Sequence, residues 1–476
     1  MTAEAGPTTG VTEAAAGVDV AAVDLDAADR ATWRVAVETL DANWEYDHTV
    51  PSRTLYPHQW SWDSAFIAIG LAHLDPARAW RELDTLFAAQ WPDGRVPHIV
   101  FNPRLRPGDY FPGPDMWASP LAAGPPSGAT SGIVQPPVHA LAAWRVHQIA
   151  TGRSGAGAVD ATHRLRALYP RLVAQQRYLA RRRDVGGGGL ASVVHPWESG
   201  LDNSPAWDAP MAAVDADPAV MRAYRRHDTR FVADSHRPTD LDYARYLALV
   251  AAYRDRGYAD DDLAGRQPFL VECPLFNAVR AAAELALAGI AGVLGEDSGP
   301  HRDRAARITD AIVERLYDPV AGTFRPRDLR TGRLVPARTV LGLTPILLPG
   351  LPAEQVRTIL AEATSERFGL TARMSRPLPS HDRTAADFEP LRYWRGPSWM
   401  NINWLIWQGL REHGETTLAA GLRESMLDLV RRSGCHEYFH PDTGAGLGSP
   451  AFGWTAALTL DVLAEHGGFA GCRPLP

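Results

Sequence analysis

LFNAVRAAAELALAGIAGVLG, residues 275–295, is apolar on nearly every side when wound as a helix. A helix with no polar face belongs inside a protein, wrapped by other elements. RDRAARITDAIVERLY, residues 302–317, differs. Its apolar residues repeat at helical spacing and leave one charged face, as expected of a helix with one side in water. A buried helix followed by a half-wet one predicts two concentric rings. Helical spacing recurs over 28–43, 63–73, 76–90, 137–151, 160–182, 210–225, 240–257, 270–294, 301–317, 353–364, 399–413, 415–432 and 454–466, while strand-like alternation is rare. The chain therefore reads as all-α, a single helical barrel. Long polar segments at 44–62, 92–136, 183–209, 226–239, 318–350, 366–398 and 433–453 interrupt it. Loops this long usually carry function, and these are expected to gather at one rim. Nothing divides the chain into two cores, so 28–476 reads as one domain. Residues 1–27, rich in Ala, Gly, Thr and Asp, read as a disordered tail.

The 476 residues are 45% hydrophobic and 22% charged, with a formal net charge of -7. Such a chain buries a large core without disulfides or metals. The acidic balance argues against nucleic acid and anionic membranes as partners. No uncharged apolar run approaches the ~20 residues that span a bilayer, and the N-terminus lacks the basic start and apolar stretch of a secretory signal. Cys273, Cys435 and Cys472 are too few and too scattered for a disulfide framework or a CxxC metal site. These features together predict a cytoplasmic protein.

The Trp residues are bunched, in YPHQWSWDSAF (56–66), HPWESGLDNSPAWD (195–208) and RYWRGPSWMNINW (392–404). Core Trp would be spread over helix faces. Trp beside Pro, Gly and acids points to loops lining a cleft, and aromatic faces suit the C–H-rich faces of sugars. Glycoside hydrolysis uses one carboxylic acid to protonate the leaving oxygen and a second carboxylate to activate water or attack the sugar. Three acids, Glu198, Asp202 and Asp208, lie between or beside Trp197 and Trp207, with Gly200 permitting an unusual turn. A carboxyl against indole is desolvated and favours its neutral form, which suits a general acid. Asp208 also reads as a helix cap; Asp202 lies too far upstream for that. Glu437, in CHEYFHPDTGAGLGSPAFGW (435–454), follows an apolar helix and precedes a Gly-rich turn, a rim position, although a surface ion pair would also explain it. Asp63 falls at a helix start, so it is either a cap, a ligand for sugar hydroxyls beside Trp60 and Trp62, or the base itself. No HExxH, GxSxG or GxGxxG pattern occurs, and neither a metal nor a cofactor is expected.

With YPHQWSWDSAF, VPHIVFNP (96–103), QPP (135–137), HPWESGLDNSPAWD, RYWRGPSW, HEYFHPDTGAGLG (436–448) and FGWTAAL (452–458), the chain resembles glycoside hydrolase family 63, closest to the short bacterial branch acting on mannosylglycerate and glucosylglycerate. The resemblance implies an (α/α)6 barrel whose long loops form the active-site rim, and an inverting mechanism. It implies Asp202 as general acid and Glu437 as general base. It places Tyr56, Trp60, Trp62, Asp63, Gln135, Trp197, Gly200 and Trp399 around the sugar, and Tyr110, Arg237, Tyr243, Tyr393 and Trp394 around the leaving glycerate. Arg237 is apt, because guanidinium grips a carboxylate in a fork. The chain departs from that branch at SPAFGW (449–454), where Ala451 and Phe452 stand in place of an expected Gln, so the leaving group is open to glycerol, another sugar or a different small acid. The expected partner is a small α-glycoside. Three rivals are a sugar isomerase or epimerase of the same fold, a lyase acting on uronic polymers, and a non-catalytic sugar-binding protein. The lyase would need a basic groove, and the binding protein would need neither acid.

Overall fold

A computed structural model of the chain describes residues 25–106, 108–122, 124–125, 129–152, 156–373 and 376–465. Twelve long α-helices form the framework of the described residues. They are α1 (Ala27–Asn43), α2 (Ser61–Ala72), α3 (Pro76–Ala88), α4 (His139–Gly152), α5 (Ala156–Arg182), α6 (Asp240–Arg254), α7 (Pro274–Leu294), α8 (Gly299–Leu316), α9 (Ala353–Thr364), α10 (Met400–Glu412), α11 (Thr416–Ser433) and α12 (Gly453–Ala464). The strands are two-residue ladders, the largest a four-stranded patch pairing Ser192–Val193, Val271–Glu272, Arg327–Asp328 and Arg333–Leu334. Most of the tail expected at 1–27 lies outside the described residues. Leu25 is already buried, and the Asp26 carboxylate accepts the Asp29 N–H to cap α1.

The helices form two rings. In the inner one α2 packs on α4, α4 on α7, α7 on a 3-10 helix at Val340–Leu347, that helix on α10, α10 on α12, and α12 back on α2. Outside stand α1, α3, α5, α8, α9 and α11, each preceding its inner partner in the chain. The division follows composition. Every residue of α2 and α12 is buried, whereas α8 buries only a stripe running from His301 through Ile308 and Ile312 to Leu316. The closure between α12 and α2 is tight: a Cβ at Gly70 would come within 2.3 Å of the Ala457 Cα. The result is an (α/α)6 barrel. Helix α7 is long and apolar enough by composition to cross a membrane, but its residues are mostly buried among neighbouring helices, and Arg280 donates to the Gly189 carbonyl.

Two sequence expectations need correction. The fourth inner element comes from 318–350, which reads as a loop because VLGLTPIL is short and interrupted by Pro345; it is the 3-10 helix. Residues 210–225 do not make one helix. A short helix at Asp208–Ala212 stops before Pro218, and Pro218 opens a separate 3-10 turn at Pro218–Ala223, capped by the Asp217 side chain accepting the Ala219 N–H.

The barrel also buries charge. Asp461 on α12 pairs with Arg145 of α4 at 3.1 Å, and accepts from His73 after α2 (2.9 Å) and from the Trp404 indole of α10 (2.9 Å). These partners hold its carboxyl well below the usual carboxylate range despite burial. One carboxylate thus ties four inner elements together.

Candidate active site

A cavity opens where α2, α10 and α12 begin. It is lined by residues of the loops before those helices, by the 195–208 loop, by the 226–243 segment and by Tyr110–Pro112. Twelve of the thirteen residues singled out in the sequence line it: Tyr56, Trp60, Trp62, Asp63, Tyr110, Gln135, Trp197, Gly200, Arg237, Tyr243, Tyr393 and Trp394, together with Asp202 and Glu437. Trp399, the thirteenth, is not in the wall. It lies behind Trp394, stacked on it at 3.6 Å and 7°, and its indole N–H donates to the Tyr393 carbonyl at 3.1 Å.

The three acids of the 195–208 loop separate cleanly. Glu198 is fully buried and gripped in a fork by Arg183 (2.8 and 2.9 Å), while it also accepts the N–H groups of Val134 and Val194. It fastens the loop to the barrel. Asp208 is exposed and paired with Arg395 at 2.9 Å through both oxygens. Asp202 alone faces the cavity. Its backbone is fixed, because the Tyr246 hydroxyl donates to its carbonyl at 3.0 Å and the neighbouring Asn203 accepts the Trp394 N–H at 3.1 Å. Gly200 has φ +76°, and a Cβ there would lie 2.5 Å from the Trp62 ring, so only glycine lets the acid loop approach that indole. Desolvation among these rings pushes the Asp202 carboxyl up to about 8, with the charge of Glu437 acting in the same sense and Arg237 opposing. It keeps its proton at neutral pH.

Glu437 sits beside a two-residue ladder that pairs Tyr438–Phe439 with Gly446–Leu447. Its carboxylate receives four donors. Oε1 accepts the Tyr56 hydroxyl (2.7 Å) and Arg237 Nη1 (3.3 Å); Oε2 accepts Arg237 Nη2 (2.9 Å) and the Ser449 N–H (3.0 Å). Arg237, expected to face a leaving group, lines the cavity and forks onto Glu437. Tyr393, at φ +36°, places its hydroxyl 3.5 Å from that of Tyr56 and its ring 4.6 Å from the Arg237 guanidinium. Asp63 lies in the first turn of α2 but does not cap it: Trp60 holds the cap position without a side-chain bond, and Gln135 Oε1 accepts the Trp62 N–H at 3.2 Å. Burial, with Glu437, Glu82 and Asp202 nearby, raises the Asp63 carboxyl well above its ordinary range.

The wall also holds His98, His227, Asp228 and Trp454, which sequence reasoning passed over, and Phe452, which stands where a Gln is expected. Asp228 forks onto Arg226 (2.8 and 3.2 Å), a pair hidden in an unremarkable polar loop. His98 lies within VPHIVFNP and is kept neutral by burial; its presence in that motif was the available signal. Phe452 meets Tyr56 edge-on at 5.7 Å, whereas Ala451 is exposed and its carbonyl accepts from Asn43. The indole N–H groups of Trp60, Trp394 and Trp454 are buried without a partner. Unsatisfied donors set among aromatic faces suit a ligand bearing both hydroxyls and C–H surfaces.

An (α/α)6 barrel with carboxyls facing a Trp-walled cavity is the form of a glycoside hydrolase, and the chain is one. Residues 56–455 match the family described as mannosylglycerate hydrolase MGH1-like glycoside hydrolase domain. The chain is 42% identical to a mannosylglycerate hydrolase of Rubrobacter radiotolerans over 427 residues, covering 90% of this chain and 95% of that one. It is 38% identical over 428 residues to a glucosylglycerate hydrolase of Mycolicibacterium hassiacum, with 87% and 94% covered. The crystal structure of the family 63 mannosylglycerate hydrolase from Thermus thermophilus in complex with Tris and D-glycerate superposes with a TM-score of 0.81 at 40% identity, covering 90% of this chain and 99% of that one. The chain belongs to glycoside hydrolase family 63.

Proposed function

We propose that this protein hydrolyses a mannosyl or glucosyl glycerate with inversion, using Asp202 as general acid and Glu437 as general base. The observation that carries the reading is the contrast between two carboxyls in one aromatic cavity. Asp202 is desolvated and holds a proton to about pH 8, while Glu437 is embraced by Arg237, Tyr56 and a backbone N–H. Environments that set two acids apart assign the acid and the base. Asp202 gives its proton to the glycosidic oxygen as the C1–O bond breaks, and Glu437 takes a proton from water attacking the opposite face. Such a pair stands ~6.5–9.5 Å apart to admit that water.

Trp60, Trp62 and Trp197 offer faces to the sugar, and Asp63, protonated, donates to a ring hydroxyl. Tyr110, Tyr243, Tyr393 and Trp394 border the leaving group. The relatives named for mannosylglycerate and glucosylglycerate support this substrate class. A cytoplasmic location belongs to the same reading, supported by two free, buried cysteines, Cys273 and Cys435.

The test is to incubate the purified protein with α-mannosylglycerate and α-glucosylglycerate and follow both by proton NMR. Release of glycerate with the β-anomer appearing first supports the reading. A single isomerised product, first release of the α-anomer, or no turnover of either compound overturns it.

A further inference from the structure

Both oxygens of Glu437 already accept two hydrogen bonds each. A carboxylate offers about four lone-pair sites, so the base as it stands has nowhere to receive a proton from water. One donor must leave before catalysis. The Ser449 N–H is backbone and fixed. The other acceptor open to the Tyr56 hydroxyl is that of Tyr393, at 3.5 Å a weaker contact than its 2.7 Å bond to Glu437, and its ring is fixed edge-on to Trp60 at 5.3 Å and to Phe452 at 5.7 Å. Arg237 is the donor that an incoming anion can claim. Among the described residues lining the cavity it is the only arginine, its Nε is buried without a partner, and its plane lies over the Tyr393 ring, a surface across which it can turn.

We propose that Arg237 gates the base, and that the anionic group of the leaving half of the substrate is what opens it. A carboxylate arriving from the Tyr393 and Trp394 side competes with Glu437 for the guanidinium fork and draws it away. That vacates a lone pair on Glu437 at the moment the glycosidic bond is in place. A glycoside without an anionic leaving group binds its sugar but leaves Glu437 saturated. Selection for a charged leaving group is then exerted on the chemical step, where only interactions that differ between ground and transition state act. The inference rests on the function proposed above, and it adds a role for Arg237 beyond holding a ligand.

An α-mannosyl or α-glucosyl fluoride tests it on the wild-type protein, because fluoride leaves the far side of the cavity unfilled. Hydrolysis breaks the C1–F bond, fluoride leaves with the proton of Asp202, and Glu437 takes one from water. Added D-glycerate is expected to raise the rate of fluoride release at saturating glycosyl fluoride tenfold or more, with saturation, while glycerol does not. In Arg237→Gln the ratio of rates with and without glycerate is expected to fall to about one. If the wild-type fluoride rate is unchanged or lowered by glycerate, the gate does not exist, although the hydrolase reading survives. If neither fluoride is hydrolysed under any condition, the hydrolase reading fails and the gate with it. The wild-type result stands without the variant, so a poorly folded Arg237→Gln does not obscure the outcome.

Discussion

Replacing Asp202 by Asn is expected to abolish activity and strengthen the fold, and the second effect has a pH signature. In the unfolded chain this carboxyl ionises near 3.8; in the cavity it is held up to about 8. Its folded value is raised, so its contribution to stability is complete below pH 4 and is lost as pH rises toward 8. At 1.36 kcal/mol for each tenfold, keeping the proton at pH 7 costs about 4 kcal/mol, an upper bound because the side chain is only half-buried. Asn has no proton to keep and nearly the same shape. The stability of the variant relative to wild type is therefore expected to increase by up to about 3 kcal/mol between pH 5 and pH 7.5. Urea denaturation followed by circular dichroism at those two pH values measures it. As the proposed general acid, the same carboxyl is expected to set the alkaline limb of kcat/KM near pH 8 in the wild type, and the variant is expected to lose at least about a hundredfold in kcat, the lower range for a general acid. A stability gap that stays constant from pH 5 to 7.5 would refute the reasoning, as would a wild-type alkaline limb well below pH 7.

Glu437→Gln is expected to remain folded and lose about a hundredfold or more in kcat, while calorimetry still detects substrate; a variant as active as wild type removes Glu437 from the base role. Gly200→Ala forces a Cβ to 2.5 Å from the Trp62 ring at φ +76°, so kcat/KM is expected to fall about tenfold or more for a displacement of the acid loop of this kind, and unchanged kinetics would show that the loop yields freely. Asp461→Ala removes the carboxylate that Arg145, His73 and the Trp404 indole share, while Arg145 keeps its pair with Glu465, and the lost buried hydrogen bonds are expected to cost about 1–3 kcal/mol, read as a lower melting temperature with kcat per folded molecule preserved.

How much of this was legible in the sequence depended on whether the decisive interaction is local. The unbroken apolarity of residues 275–295 and the striped pattern of 302–317 carry their own address, and the structure puts them in the inner and outer rings as α7 and α8. VLGLTPIL does not. It becomes an inner element only because α7 and α10 leave a place for it between them. The same holds at the cavity. Trp60, Trp62 and Trp197 announce themselves by clustering with glycine and acids. Trp399 sits in an equally suggestive motif yet stands one ring behind the wall, and the sequence has no means of marking depth. Glu198 and Asp202, four residues apart in one loop, look alike until Arg183 is seen to claim the first. That arginine is 15 residues from Glu198, the last of three consecutive arginines, Arg181 to Arg183, of which it alone is buried, and the sequence does not mark which of the three turns inward.

Arg237 shows why a residue's role is fixed by its partners rather than its type. Two hundred residues separate it from Glu437, and its chemistry alone says only that it will bind an oxyanion. Two oxyanions have a claim on it, one fixed in the protein and one carried by the proposed substrate. Burial makes the contest sharp, because neither carboxylate is offset by water once the cavity is filled. A binding arginine with a free fork would hold any small acid and say nothing about catalysis. In the proposed mechanism an arginine already spent on the base ties recognition of the leaving group to release of the proton acceptor, so discrimination and rate draw on one interaction.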